Sequence, residues 1–219
     1  MSKYFLMFLT AALLVTASTV VLRKSAIKTD ADATHAARQT HQAAKPTLAH
    51  MSFGFKRGAS VATPATYRWA GRTVTYRITD KSAYYRQIWR AAVRHWNAAK
   101  VVKLVPAQTG QTANITMSAK NDTTKQYGNV IGLTFTSYHA NQSLGSLHVL
   151  ANARSYVYKN VARAMRYSQL ERERVAEHEL GHALGLGHAA SKRSVMYYAS
   201  RGIAISSGDV KGLRQAYFE

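Results

Sequence analysis

No cysteine occurs among the 219 residues of this chain. That absence excludes disulfides, thiolate metal sites and cysteine nucleophiles together, while leaving the compartment open. Acid is the second scarcity: ten Asp and Glu stand against thirty Lys and Arg, a formal net charge of +20. Between residues 82 and 170 the only carboxylate is Asp122, so calcium, which takes about six to eight largely carboxylate oxygens, has little to bind there. The excess of base suits an anionic partner such as nucleic acid, acidic lipid headgroups or cell-wall polyanions, and serves equally for solubility alone. Apolar residues at 47% exclude wholesale disorder, and the length suffices for one domain with tails.

Residues 4–22, YFLMFLTAALLVTASTVVL, carry no charge and lie between Lys3 and Arg23-Lys24. This pattern fits a secretory signal, with Val15-Thr16-Ala17 as a small-residue cleavage site, and is also just long enough for an uncleaved anchor. Residues 1–24 are therefore read as signal peptide or signal-anchor, placing the remainder outside the cytoplasm, secreted or at the cell surface. Residues 25–66, rich in Ala, Thr, Lys, Gln and His, show no sustained apolar periodicity and read as a tether or prosegment. Their His35, His41 and His50 are read as solvated. A folded domain is expected over 67–219.

Within that domain TVTYRI, 73–78, alternates and is rich in β-branched residues, the mark of a strand. The preceding YRWAGRTVTYR interleaves aromatics with arginine, which could stack bases. Strand alternation accounts for the same pattern, so no specific nucleic acid is expected. Residues 82–99 place Tyr85, Ile88, Trp89, Ala92, Val93 and Trp96 at three- and four-residue steps, predicting an amphipathic helix with Arg86, Arg90 and Arg94 on its wet side. His95 is expected to be merely exposed. Short strands are expected at 101–105, 113–119, 129–136 and 146–152. A second helix follows over 169–184, with Leu170, Val175, Leu180 and Leu184 turned inward. A last short helix opens at Gly208-Asp209 with Asp209 as its cap. One strand, a helix and several strands suggest a mixed sheet with the helix packed on it, an α+β domain.

The densest chemistry is HELGHALGLGH at 178–188. His178 and His182 stand four apart, so a helix puts both imidazoles on one face, one turn from each other. Gly185 permits the left-handed turn that ends the helix and brings round His188 as a third ligand. Three neutral imidazoles leave a fourth position open, the arrangement of a catalytic zinc rather than a structural one. Such an ion lowers the pKa of bound water to roughly 7 and polarises a carbonyl. Glu179, beside the first ligand, would accept the water's proton and pass it to the leaving amine. HExxH with the added glycine and third histidine arises by chance in about 2 of 100,000 sequences of this composition, which decides against coincidence. Glutamates at 171, 173, 177 and 179 cluster around the motif and would favour a cation nearby.

HExxHxxGxxH followed by SVMYY at 194–198 resembles the zinc endopeptidases of the metzincin clan, and within it the matrixins. AAVRHWNAAKVVKLV is similar to the matrixin helix and second strand, ANITM to the third strand and SSGDVKGLRQAYF to the closing helix, so the likeness runs over about 67–218. It implies a twisted, mostly parallel sheet of about five strands with one antiparallel edge strand, two main helices and a short C-terminal helix. Substrate would pair with the edge strand, with 132–135 and 147–151 near the cleft. Met196 would be a packed floor under the histidines, and 196–201 part of a side-chain pocket. Tyr198 stands where astacin-like enzymes have a zinc-facing tyrosine, and could donate to an oxyanion. The implied protein is a monomeric zinc-dependent endopeptidase acting on extracellular proteins or peptides, with one catalytic zinc. The rival is a noncatalytic basic protein that binds an anionic cell envelope. The chain departs from the family in having no cysteine for a prosegment switch and in Ala189, where serine is usual. No calcium and no second zinc are expected, since His139 and His148 lack an obvious third partner.

Overall fold

The computed structural model describes residues 62–123 and 130–218. The expected signal or anchor at 1–24 and the tether up to residue 61 lie outside the described residues, as does the start of the strand expected at 129–136. Among the described residues no helix is long and apolar enough to cross a membrane.

Six strands form one sheet: β1 (Tyr67–Arg68), β2 (Thr73–Ile78), β3 (Lys103–Pro106), β4 (Ile115–Lys120), β5 (Gly132–Leu144) and β6 (Leu147–Tyr158). Four helices accompany them: α1 (Ala83–Ala98), α2 (Lys159–Ala164), α3 (Gln169–Ala183) and α4 (Ser207–Phe218). The path β3-β2-β4-β6 is parallel throughout, and β1 adds to β6 in parallel. β5 runs antiparallel to β6. These two strands reach well past the apolar stretches that mark them in sequence. Leu144 pairs with Leu147 across a two-residue turn in which Gly145 has φ +62°, the backbone a tight hairpin demands. The outer half of β5 is exposed, so its polar residues carry no alternation to read.

The periodic elements fall where periodicity puts them. β2 occupies 73–78, and all six apolar positions expected to face inward on α1 are buried. Trp89, Trp96 and Ile88 of α1, Ile115 and Met117 of β4, and Leu180 of α3 form one core between helices and sheet. A smaller cluster joins Val130, Ile131 and Leu133 to Tyr158, Val161 and Tyr167 around α2, a helix too short to announce itself in sequence.

Two expectations are overturned and a third is incomplete. Leu170 is 52% exposed rather than inward, because it sits in the first turn of α3, ahead of the part packed on the sheet. His95 is exposed as expected, yet its Nδ1 lies 2.5 Å from Glu177 Oε1. Asp209 is not the cap of α4. Its amide takes the Ser206 hydroxyl as acceptor at 3.2 Å, while its Oδ2 accepts from the Ser206 amide at 2.8 Å. Ser206 is thus the cap and Asp209 the reciprocal partner three residues on.

The last residues assigned to the tether are seated on the domain. Ala65 bridges Leu186, the Thr66 amide donates to the Gly185 carbonyl at 2.9 Å, and the Gly187 amide donates to the Pro64 carbonyl at 2.7 Å. Thr63 is buried, and its hydroxyl donates to Asp209 Oδ1 at 2.5 Å.

Candidate metal centre

α3 begins with a capping box in which the Ser168 hydroxyl accepts from the Glu171 amide and Glu171 accepts from the Ser168 amide at 2.7 Å. Its far end is closed as firmly. The Gly185 amide donates to the His182 carbonyl at 2.9 Å and the Leu186 amide to the Gly181 carbonyl at 3.0 Å, with Gly185 at φ +102°. This is a Schellman end, in which left-handed backbone turns the chain back on the helix. Carbonyls of the last turn find side-chain donors too: Trp69 Nε1 reaches the Ala183 oxygen at 2.9 Å and the Tyr217 hydroxyl the Leu184 oxygen at 3.1 Å. A side chain at 185 would also run into the Tyr67 carbonyl.

The reversal brings His188 to the two helical histidines. Nε2 of His182 lies 3.0 Å from Nε2 of His178 and 3.1 Å from Nε2 of His188. These three could hold one metal ion, being the group among the described residues whose donor atoms all fall within 4.8 Å of one another. The partners of the other ring nitrogens fix the chemistry. His178 Nδ1 is 2.6 Å from the Val195 carbonyl and His182 Nδ1 is 2.8 Å from the Leu186 carbonyl. A carbonyl only accepts, so both Nδ1 atoms carry the proton and both Nε2 atoms are left as lone-pair donors in the neutral ring. Burial, followed by a neighbouring histidine, holds all three imidazoles down at about 3. Two lone pairs facing across 3.0 Å repel each other unless a cation lies between them. The donor set therefore fits a divalent ion, and three imidazoles suit zinc.

Beneath the helix runs the turn Ser194-Val195-Met196, all buried. Met196 sulfur and Trp96 occupy the space a side chain at Gly181 would need, so the glycine within HELGH lets the helix settle on this floor. Asp209 ties the turn down. Its Oδ1 accepts from the Ser194 hydroxyl at 2.5 Å, and its Oδ2 from the Val195 amide at 3.3 Å. Asp209 thereby supports the residue whose carbonyl orients His178, a role that its place at a helix start does not announce.

Glu179 is buried and faces the sheet. Its Oε2 accepts from the Thr134 hydroxyl at 2.7 Å, and Gly132 lies so close that a Cβ there would overlap the carboxylate. Burial pushes its pKa up to about 8, the Thr134 bond opposing that rise. The other three glutamates of the cluster are engaged elsewhere. Glu171 pairs with Arg201 at 2.6 Å, Glu173 accepts from Gln169 at 3.1 Å, and Glu177 accepts from His95 and Arg174. Tyr198 is half-buried with its ring centroid 4.6 Å from that of Tyr197. The bond between these two raises the Tyr197 hydroxyl to about 12, and no hydrogen bond joins Tyr198 to the three histidines among the described residues.

Comparison with known proteins agrees with this architecture. The profile of the matrixin family matches residues 68–218. Metalloendoproteinase 2-MMP of Arabidopsis thaliana is 24% identical over 168 residues, 70% of this chain and 44% of its own length. Matrilysin of Rattus norvegicus is 28% identical over 169 residues, 70% of this chain and 60% of its own. Metalloendoproteinase 1 of Glycine max is 39% identical over 54 residues, 23% of this chain and 18% of its own. The chain thus spans less than two thirds of the length of each of these relatives. Because the profile runs over more than half of the sequence and through the three-histidine turn, this protein belongs to the matrixin family.

Proposed function

We propose that the chain is a zinc-dependent endopeptidase that hydrolyses peptide bonds of extracellular proteins or peptides, with His178, His182 and His188 as ligands and Glu179 as general base. The observation that carries this reading is the convergence of three neutral imidazoles, two with the tautomer of a metal ligand, beside a buried carboxylate that has no cationic partner. Zinc, when bound, supplies a Lewis acid that acidifies water and polarises a carbonyl. Glu179 takes a proton from the attacking water and delivers it to the amine nitrogen as the C–N bond breaks, so that the carboxylate is regenerated and no covalent enzyme intermediate forms. The Val195 and Leu186 carbonyls keep the ligand rings in register, as partners of metal-binding histidines do elsewhere. Tyr198, two residues beyond Met196, is proposed as a donor to the developing oxyanion, checked by a lower kcat in Tyr198→Phe with KM held.

Export through the uncharged stretch at 4–22, one catalytic zinc and a monomeric state belong to the same proposal. Cleavage of an unstructured protein such as casein tests it. Glu179→Ala is expected to lower kcat/KM about 1,000-fold; equal turnover in both proteins would leave the rival reading, a noncatalytic binder of anionic envelope.

A further inference from the structure

Thr134, 45 residues before Glu179 in sequence, is 99% buried with its hydroxyl among three oxygens. Its Oγ1 lies 2.7 Å from Glu179 Oε2, 2.9 Å from the Glu179 carbonyl and 2.9 Å from Ser155 Oγ. One hydroxyl proton serves one acceptor at a time. In the ionised form that a base must take, the carboxylate is the strongest of the three, since hydrogen bonds to charged groups are the stronger kind. Ser155, fully buried, then donates to Thr134 Oγ1, its other acceptor being the Glu179 carbonyl at a long 3.4 Å. The result is a relay from Ser155 through Thr134 to Glu179 in which each bond polarises the next.

The two carboxylate oxygens are thus unequal. Oε2 is occupied, whereas Oε1 has no hydrogen-bond partner among the described residues and rests against Gly132. Left alone, the terminal torsion of a glutamate is broad and roughly two-fold, so a base without an anchor would present either oxygen, or neither, to the proton it must take. Proton transfer rewards an acceptor already in place.

We propose that Thr134 is a positioning residue: its hydroxyl locks Glu179 through Oε2 so that Oε1 is the oxygen offered for proton transfer, and Gly132 is the gap in the strand that makes room for it. This rests on Glu179 acting as the base. A threonine in a strand is ordinary by composition, which hides it in sequence.

Two replacements separate the hydroxyl from the shape. Thr134→Val keeps the volume and removes the donor, while Thr134→Ser keeps the donor. Thr134→Val is expected to lower kcat about ten-fold with KM within about two-fold, and Thr134→Ser to retain at least about a third of the wild-type kcat. In a Glu179→Gln background Thr134→Val should add no more than about a two-fold change, because the group it acts through is gone. Zinc content should stay at that of the wild type in each. Crystal structures of the zinc-loaded proteins give a reading that needs no turnover: one Glu179 carboxylate orientation in wild type and Thr134→Ser, dispersed orientations in Thr134→Val. Thr134→Ala reads the same quantities where Thr134→Val does not fold. Wild-type kcat in Thr134→Val, equal losses in Val and Ser, full additivity in the Gln background or an unmoved carboxylate in Thr134→Val each overturns the proposal. Wild-type protein that cleaves no better than Glu179→Gln instead overturns Glu179 as base, and the crystallographic comparison still decides whether Thr134 anchors it.

Discussion

Glu177 and Glu179 stand two residues apart on α3, both buried, and their surroundings differ in kind. Glu177 faces α1: His95 of α1 lies 2.5 Å and Arg174 of α3 itself 2.6 Å from its Oε1, and its own carbonyl accepts from Trp96 Nε1 at 2.9 Å. Glu179 faces β5, where the Thr134 hydroxyl, not a cation, meets its carboxylate. A carboxylate held by an arginine and a histidine fastens one helix to another; a carboxylate buried without a cation keeps its affinity for a proton. Sequence alone treats the two as members of one acidic cluster. Packing engages one in architecture and leaves the other, pushed up to about 8 by burial, for the proposed chemistry.

The sharpest way to break this contrast is to neutralise each residue in turn. Glu179→Gln should lower kcat/KM about 1,000-fold while leaving thermal stability near that of the wild type. Glu177→Ala should keep kcat/KM within about five-fold and cost about 3 kcal/mol, a fall of roughly 6–12 °C in Tm for a domain of this size. Calorimetry and a peptide assay on both variants check the pair; similar losses of both properties in both variants would erase the distinction.

Asp209 extends the architectural side of the comparison. It accepts from Thr63, Ser194, Val195 and Ser206, joining the N-terminal segment, the turn under the histidines and the last helix. Asp209→Asn keeps the shape but sets amide hydrogens against donors, and should cost about 2 kcal/mol, measured by urea denaturation.

The smallest effect belongs to the exposed end of α3. Hydrogen bonding to Arg201, reinforced by the Ser168 cap, holds Glu171 down at about 2 from an ordinary 4.5. A depressed carboxylate contributes stability that is fully present above the unfolded value and fades as pH falls from about 4.5 toward 2. Glu171→Gln should therefore lower stability by about 0.5–1 kcal/mol at pH 7, as exposed pairs and caps do, and the gap to wild type should close on acidification through that window.

Legibility in the sequence followed the range of the interactions. The three histidines, Glu179 and Gly185 lie within eleven residues, so helical geometry and one turn suffice to assemble them. β2 and α1 emerged from periodicity because each buries one face against a single core. What stayed hidden depends on contacts across the fold: Thr134 reaches Glu179 over 45 positions and His95 reaches Glu177 over 82. The Val195 and Leu186 carbonyls that set the histidine tautomers have no side-chain signature at all. Gly132 and Gly181 have no side chain to announce that each is the space another residue fills. The expectation for Asp209 failed by reading a helix start locally, when its acceptors serve three separate segments.

The claim on which all of this depends is that the Nε2 atoms of His178, His182 and His188 hold a single zinc ion. Elemental mass spectrometry of protein dialysed against trace zinc, wild type beside His182→Ala, tests it most directly. One tightly held equivalent per chain in the wild type and loss of that equivalent in the variant are expected. No retained zinc in the wild type, or the same zinc content in both proteins, would contradict it.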